Sequence, residues 1–219
     1  MNKLTNNETI FSFNQKAYSS LAEEYNQKFT SRVRLNSPLV KDFTQDLRCK
    51  TGKNQPNILD VGCAVGTCTY SLVAEGCQVV GLDVSSKMLA LAKKNVPRAT
   101  FNVGNFYKYQ FSNTYDGIFA QNFIHLFPKS MAEKIIIKMG NLLKTNGLIY
   151  LSTTNERVSK EGFYPKQGYC QEVIRFRKFW KFDELEETIK NLGFKIFKSY
   201  KTKPEGGYPW MIFEIEKFN

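Results

Sequence analysis

The 219-residue sequence predicts an α/β fold with a doubly wound, mostly parallel sheet of seven strands. Short apolar runs of strand length alternate with amphipathic stretches of helix length. A glycine turn joins the first apolar run directly to a helix, within the stretch 57–69 (NILDVGCAVGTCT). Two further runs, 194–200 and 210–215, supply the last two strands. No repeat, linker or low-complexity tract divides the chain, so we expect one domain, 1–219.

The chain before the first strand is predicted to be helical. Residues 10–29 carry apolar side chains at four-residue steps, which is the pattern of an amphipathic helix: Phe13, Ala17, Leu21 and Tyr25. Arg32 and Arg34 follow at strand spacing, and a second helix is expected from Pro38 to Leu47. The polar stretch after that helix is the predicted loop into the first strand.

The first strand and its turn carry the strongest functional signal. An apolar run, 58–61, follows Pro56, and a run of that length suits a strand that is covered on both faces. Gly62 and Gly66 bracket the turn, and glycine allows positive φ and close approach of a ligand. The helix expected over 67–74 presents unpaired N–H groups at its start. A cofactor is therefore expected at this turn.

The spacing of the turn separates two classes of cofactor. In the dinucleotide pattern G-x-G-x-x-G counted from Gly62, the second and third glycines fall on Ala64 and Thr67, so a nicotinamide cofactor fits poorly. The pattern D-x-G-x-x-x-G fits, with Asp60 at its first position and Gly66 at its last. A glycine turn after a strand also occurs in many α/β proteins without this function.

A second carboxylate lies at the end of the second predicted strand. The apolar run 79–82 ends in Asp83, and the helix 86–95 follows. A carboxylate at the tip of this strand can accept both hydrogen bonds of a ribose 2′,3′-diol. The alternative is that Asp83 caps the helix, because Asp is a good N-cap residue. Both roles can hold at once.

The turn and Asp83 together resemble the class I S-adenosylmethionine (SAM) dependent methyltransferases of the small-molecule type, with a domain like methyltransferase domains 11 and 25. Many members read D-x-G-C-G-x-G, and Ala64 replaces the central glycine here. The resemblance implies a Rossmann-like sheet with a C-terminal antiparallel strand pair, and a cofactor, SAM, that leaves as S-adenosylhomocysteine. It also implies an N-terminal helical lid, 1–50, and an insertion, 154–181, that shapes the acceptor pocket.

The resemblance also assigns residues to the cofactor. After the strand predicted at 99–103, Asn105 and Phe106 match the position that holds the adenine amine and stacks on the ring. The alternative is a plain turn at Gly104 and Asn105. The expected cofactor residues are Asp60, Gly62, Cys63, Ala64, Gly66, Asp83, Val84, Met88, Asn105, Phe106 and Gln121.

The fourth predicted strand, 115–122, limits the chemistry. It ends in Gln121-Asn122-Phe123, without the [DN]-P-P-[YF] motif of nucleic acid amino-methyltransferases, and Cys170 lacks the motif of cytosine C5 enzymes. His125, the one histidine, follows this strand and is the candidate general base. A lone histidine is more often a packing residue. The remaining elements are a helix over 129–143, a strand over 148–153 and a helix over 183–192.

The acceptor side is predicted from aromatic residues and the lone histidine. Tyr18 and Tyr25 lie on the helix that covers the pocket in similar enzymes, and the alternative is that they belong to the core. The expected acceptor residues are Tyr18, Tyr25, His125, Tyr164 and Trp180. No metal site is expected, because one histidine and no C-x-x-C spacing offer few ligands.

Composition leaves a second hypothesis open. The net charge of +11 favours either a lysine-rich solvated surface or an RNA-directed methyltransferase. A SAM-binding domain without turnover is the third possibility. The five cysteines do not form a disulfide pattern, which favours a cytoplasmic protein. The sequence has no stretch of 18 consecutive apolar residues, so no membrane span is expected. The oligomeric state is not predicted.

Overall fold

The computed structural model describes residues 7–202 and 209–218. Over these residues the strands lie close to the predicted runs, with two additional strands between the fifth strand and the last helix. Their bounds are β1 Asn57–Val61, β2 Gln78–Asp83, β3 Thr100–Val103, β4 Tyr115–Gln121, β5 Leu143–Thr154, β6 Lys160–Pro165, β7 Ile174–Phe179, β8 Phe194–Thr202 and β9 Trp210–Lys217.

Helices cover both faces of the sheet and the region before it. Their bounds are α1 Asn7–Ser20, α2 Ala22–Gln27, α3 Phe29–Thr51, α4 Thr67–Ala74, α5 Ser86–Asn95, α6 Lys129–Asn141 and α7 Phe182–Asn191. A 3₁₀ turn, Ile124–Leu126, follows β4. None of the described helices is long and apolar enough to cross a membrane.

Seven strands form one sheet in the order β3-β2-β1-β4-β5-β9-β8. Neighbours from β3 to β5 are parallel, whereas β9 runs antiparallel to both β5 and β8. The predicted fold class, with its C-terminal antiparallel pair, is confirmed. The strand order reverses between β1 and β4, and open α/β sheets bind ligands at the carboxyl edge of such a reversal. This edge is where the glycine turn after β1 lies.

The core has one layer on each face of the sheet. On one face, Leu59 and Ile149 pack with α6 and α7 residues such as Ile135 and Ile189. On the other face, side chains of the same strands pack against α3 and α4, and they include Ile58, Phe119, Tyr150, Phe43, Leu47 and Leu72. Alternate residues of each central strand are thus buried on opposite faces, which explains why these strands read as continuous apolar runs.

The predicted N-terminal elements were wrong in their boundaries. The single helix expected over 10–29 is interrupted at Leu21 and again at Lys28. Arg32 and Arg34 lie in α3 and not in an extended segment. Pro38, predicted to start a helix, lies inside α3, which buries its C-terminal half through Val40, Phe43, Thr44 and Leu47. Packing of this C-terminal half against the core stabilises the helix through Pro38, although a proline alone predicts a helix start.

The segment between β5 and α7 forms a separate antiparallel ribbon, β6 paired with β7. No alternation of apolar and polar residues marks these strands, because charged Arg175 and Lys178 are buried in β7 beside aromatic residues. The start of β5 was also missed. Asn146 takes a left-handed φ of 61° and the register with β4 is irregular, so β5 begins at Leu143 and not at the predicted residue 148.

Glu214 in β9 makes the stability of the fold depend on pH. It is fully buried near Asp46 and Asp42, whose carboxylates both accept hydrogen bonds from Lys198. Burial, reinforced by the Asp46 charge, raises the pKa of Glu214 to about 8. The folded protein therefore holds a proton that the unfolded chain releases above about pH 4.5. Stability is expected to fall as pH rises from about 4.5 to 8.

We expect Glu214→Gln to unfold at a higher temperature than the wild type at pH 9 and at a similar temperature at pH 4. One pKa unit corresponds to about 1.4 kcal/mol and the pKa of Glu214 rises from 4.5 to about 8, so the gain at pH 9 is roughly 5 kcal/mol. Thermal unfolding followed by circular dichroism measures it. An equal difference at both pH values would show that the carboxyl group of Glu214 does not cause the dependence.

Candidate cofactor and acceptor site

The turn after β1 is held in a left-handed conformation at three residues. Gly62, Ala64 and Gly66 have φ values of 72°, 50° and 86°. The Gly62 N–H donates to the carbonyl of Leu82 at 2.8 Å, which fastens the turn to the end of β2. Ala64 adopts the conformation of the glycine it replaces, at a cost of roughly 1–2 kcal/mol. The turn keeps its left-handed conformation although Ala64 replaces the central glycine of the D-x-G-C-G-x-G pattern.

Asp83 lies against this turn at the end of β2. Its Oδ2 accepts the Ala64 N–H at 3.0 Å, and its Oδ1 accepts the Ser85 N–H at 2.8 Å. Burial raises the pKa of Asp83, against the lowering effect of these backbone donors. The N-cap of α5 is Ser85, whose Oγ accepts the Met88 N–H. Ser85, and not Asp83, is therefore the N-cap of α5. Each carboxylate oxygen of Asp83 can still accept a further hydrogen bond.

Asp60 lies beneath the turn and is buried. Its Oδ2 accepts the Thr69 hydroxyl at 2.6 Å. Burial raises the pKa of Asp60 to about 7, opposed by the Thr69 hydrogen bond and helped by the Asp83 charge. Cys63 is buried beside both carboxylates, and burial likewise raises the pKa of its thiol. Asp60 thus ties α4 to β1 and adds negative charge below the turn.

The two residues predicted to hold adenine occupy a turn after β3. The Asn105 Oδ1 accepts the Tyr107 N–H at 3.0 Å, which is the plain-turn geometry of the alternative. Phe106 is 4% exposed and meets Phe123 edge to face at 6.1 Å. The structure places Phe106 in the core on the side of Phe123, and adenine recognition by this pair stays a prediction.

The other predicted cofactor residues surround the same edge. The side chain of Gln121 accepts from the Cys68 thiol at 3.0 Å and donates to Asn36 at 2.9 Å, which links β4 to α3 and α4. Val84 is partly buried next to Asp83, and Met88 is buried under the N-terminal helices. Met88 packs there with Val65, so the turn and the lid share one apolar cluster.

Two residues after β4 belong to the site and were not predicted. Asn122 has a left-handed φ of 56°, and its Oδ1 is buried without a hydrogen-bond partner within the described chain. The ring of Phe123 covers Gly62, since a Cβ at position 62 would lie 2.6 Å from Phe123 Cδ2. A polar residue at the carboxyl end of a buried strand next to the turn was the available signal for Asn122.

Helix α1 lies against this edge of the sheet, and its role as a lid stays a prediction. Gln15 Nε2 donates to the Val84 carbonyl at 3.0 Å, and Ser19 Oγ donates to Ser85 Oγ at 2.8 Å. The buried Asn14 donates to the Leu126 carbonyl and accepts the Phe176 N–H, both at 2.8 Å. One helix thus contacts β2, the turn after β4 and the β6–β7 ribbon.

Three of the five predicted acceptor residues lie on or next to the N-terminal helices. Tyr18 and Tyr25 contact each other edge to face at 6.0 Å. His125 is 6% exposed, and its Nδ1 lies 3.3 Å from Thr153 Oγ1. Burial and then the charge of Arg175 hold the pKa of His125 well below its usual range. Burial raises the pKa of Tyr18, and the charge of Arg175 opposes that rise. His125 is therefore neutral at physiological pH.

The other two predicted acceptor residues lie elsewhere. Tyr164 on β6 contacts Phe179 on the ribbon, and Trp180 is fully buried in the main core. Phe176 on β7 is buried as well. Three charged residues of this region were not predicted as acceptor residues: Arg32 on α3, Lys166 between β6 and β7, and Arg175 on β7.

Comparison with known proteins supports the predicted enzyme class. Residues 58–147 match the methyltransferase domain family, and this range runs from β1 through the turn and Asp83 to the start of β5. The predicted resemblance to SAM-dependent methyltransferases and the predicted enzyme class are confirmed.

Relatives and solved structures agree with this assignment. The methyltransferase is 27% identical over 142 residues to an uncharacterized methyltransferase of Bacillus cytotoxicus, covering 63% of this chain and 67% of the relative. It is 26% identical to the ubiquinone biosynthesis O-methyltransferase of Nitrosomonas europaea, covering 80% and 79% of the two chains. Its fold is similar to that of the Burkholderia thailandensis 1,6-didemethyltoxoflavin-N1-methyltransferase, with a TM-score of 0.76 and 15% identity over 100% and 93% of the chains.

Proposed function

We propose that this methyltransferase binds SAM at the glycine turn and moves its methyl group to a small molecule held under the lid. The observation that carries the proposal is the pairing of the left-handed turn 62–66 with the Asp83 carboxylate at the point where the strand order reverses. The solved toxoflavin enzyme of the same fold holds S-adenosylhomocysteine and a small-molecule substrate.

The groups at this edge fit the cofactor's chemistry. Asp83 supplies a carboxylate for the two ribose hydroxyls. The buried Asn122 Oδ1 needs a donor, and the ammonium group of SAM is one. Gly62 allows the ring of Phe123 to pack against the turn, because a Cβ at position 62 would lie 2.6 Å from Phe123 Cδ2. When bound, SAM supplies an electrophilic methyl group on a sulfonium.

The protein's part is then to orient the acceptor and keep water out. Orientation of two reactants can contribute roughly 7–11 kcal/mol to lowering a barrier. Asn14, Gln15 and Ser19 hold α1 over the edge by direct hydrogen bonds, so the lid shields the site from solvent. His125 is neutral and buried next to the lid, so it can accept a proton from an acceptor that must lose one.

We infer a small-molecule acceptor in preference to RNA. The site lies beneath α1 and the ribbon, and the aromatic side chains of Phe176 and Trp180 are buried and do not form an open stacking surface. Cytoplasmic location is part of the same proposal, because all five cysteines have free thiols, as a reducing compartment favours.

Methyl transfer from labelled SAM to cell extract tests the proposal. The extract is divided by ultrafiltration into small-molecule and macromolecular fractions, and a boiled-enzyme sample is the control. We expect label in the small-molecule fraction. Label confined to RNA or protein, with a gel shift that weakens as salt rises, would contradict the acceptor class.

A further inference from the structure

Among the described residues, Arg175 is a buried cation that has no ion-pair partner. Its side chain points inward from β7, is 5% exposed, and has Nε and Nη1 atoms that are buried without a hydrogen bond among the described residues. No ion pair within residues 7–202 and 209–218 includes it. The neighbouring Arg177, in contrast, pairs with Glu156 at 3.3 Å.

Further cations converge on the same region. Arg32 from α3 donates to the hydroxyl of Tyr169, and Lys166 lies 4.8 Å from the centre of the Tyr169 ring. Neither Arg32 nor Lys166 pairs with a carboxylate in the part of the chain that the structure describes. Burial and then the charge of Arg175 lower the pKa of Lys166 to about 7. The region under the lid therefore holds excess positive charge.

Such an arrangement costs stability unless an anion completes it. Removing a charge from water costs several kcal/mol, and a buried cation is retained in proteins when it is paired. A guanidinium group presents a planar fork of donors that matches the two oxygens of a carboxylate or phosphate group. The Nε and Nη1 of Arg175, which have no hydrogen bond among the described residues, lie on different edges of this group, and each can donate a charge-assisted hydrogen bond to an oxygen of an anion.

We propose that the methyl acceptor is an organic anion whose carboxylate or phosphate group binds Arg175, with Arg32 and Lys166 adding to the positive field. This inference rests on the proposed function and names the acceptor class of that site. The anionic group lies between β7 and α1, because Arg175 is on β7 and the N–H of the adjacent Phe176 donates to Asn14 of α1 at 2.8 Å. Its charge also compensates the cations around His125, which helps that imidazole to accept a proton.

The test uses the full-length protein saturated with S-adenosylhomocysteine and titrated with three probes of similar shape. Benzoate and phenyl phosphate carry the two anionic groups, and benzamide is the neutral match. We expect the wild type to bind one or both anions more tightly than benzamide. Arg175→Gln should bind the anion about 10- to 150-fold more weakly, because the charge-assisted hydrogen bond is lost. Arg157→Gln, at an exposed arginine before the ribbon, should bind as the wild type does.

Thermal unfolding without ligand provides an independent measurement. Because Arg175 is unpaired, Arg175→Gln should be at least as stable as the wild type in the absence of anions. Arg175→Lys keeps the charge without the fork and should bind anions with intermediate affinity. Equal affinity for benzoate, phenyl phosphate and benzamide, or unchanged anion binding by Arg175→Gln, would overturn the proposal. A wild type that binds anions but not S-adenosylhomocysteine would instead contradict the proposed function.

Discussion

Replacing Asp83 by Ala should weaken SAM and S-adenosylhomocysteine binding by about 30- to 1000-fold. A carboxylate that accepts two ribose hydroxyls contributes roughly 2–4 kcal/mol. The same carboxylate also accepts the N–H groups of Ala64 and Ser85, so the variant is expected to lose some stability as well. Titration calorimetry at a temperature where the variant is folded separates the two effects.

Two further variants make this experiment specific. Asp83→Asn keeps one acceptor oxygen and the side-chain volume, so it should retain more stability and still bind SAM weakly. Asp116→Asn is the matched control, since Asp116 is at the start of β4 and pairs with Lys53 and Lys144. It should bind SAM normally. An Asp83→Ala protein that is folded and has wild-type affinity would refute the ribose role.

Replacing His125 by Ala should lower turnover by about 10²- to 10⁴-fold and leave SAM affinity nearly unchanged. The reason is that a positioned base contributes this much when the acceptor has a proton to lose. His125 is neutral because burial and the charges of Arg175, Arg177 and Lys166 hold its pKa well below the usual range. The pH profile of wild-type turnover should therefore show no change caused by titration of this imidazole between pH 6 and 9.

Controls distinguish a base from a packing residue. His125→Gln keeps the approximate size, so it should be as inactive as the Ala variant while retaining more stability. Thr153→Val removes the hydroxyl next to Nδ1 and should reduce turnover by a smaller factor. Full turnover by His125→Gln across this pH range would show that the enzyme works by positioning alone.

The sequence predicted the centre of the fold closely and its periphery poorly. The helices 67–74 and 86–95 match α4 and α5, because glycines, a proline or polar residues bound each buried run. The β6–β7 ribbon was not predicted as strands, since its inward residues include Arg175 and Lys178. Local pattern cannot show that a charged residue is buried, because burial depends on tertiary contacts such as that between Lys178 and Glu184 of α7.

The same limit applies to the site. Asp83 and the turn were found because their geometry depends on a few neighbouring residues with fixed spacing. Arg175 was grouped with the surface charge, since nothing local distinguishes a buried arginine from an exposed one. Trp180 was expected at the acceptor because it is aromatic, and the structure places it in the core, where its size is used for packing.

Calorimetric titration of the wild-type protein with S-adenosylhomocysteine, SAM and NAD tests the central claim most directly. The left-handed turn, the Asp83 carboxylate and the buried Asn122 oxygen together predict one site that binds both SAM and S-adenosylhomocysteine and prefers them to NAD by at least about tenfold. Tight binding of NAD with no heat from SAM or S-adenosylhomocysteine would contradict the account.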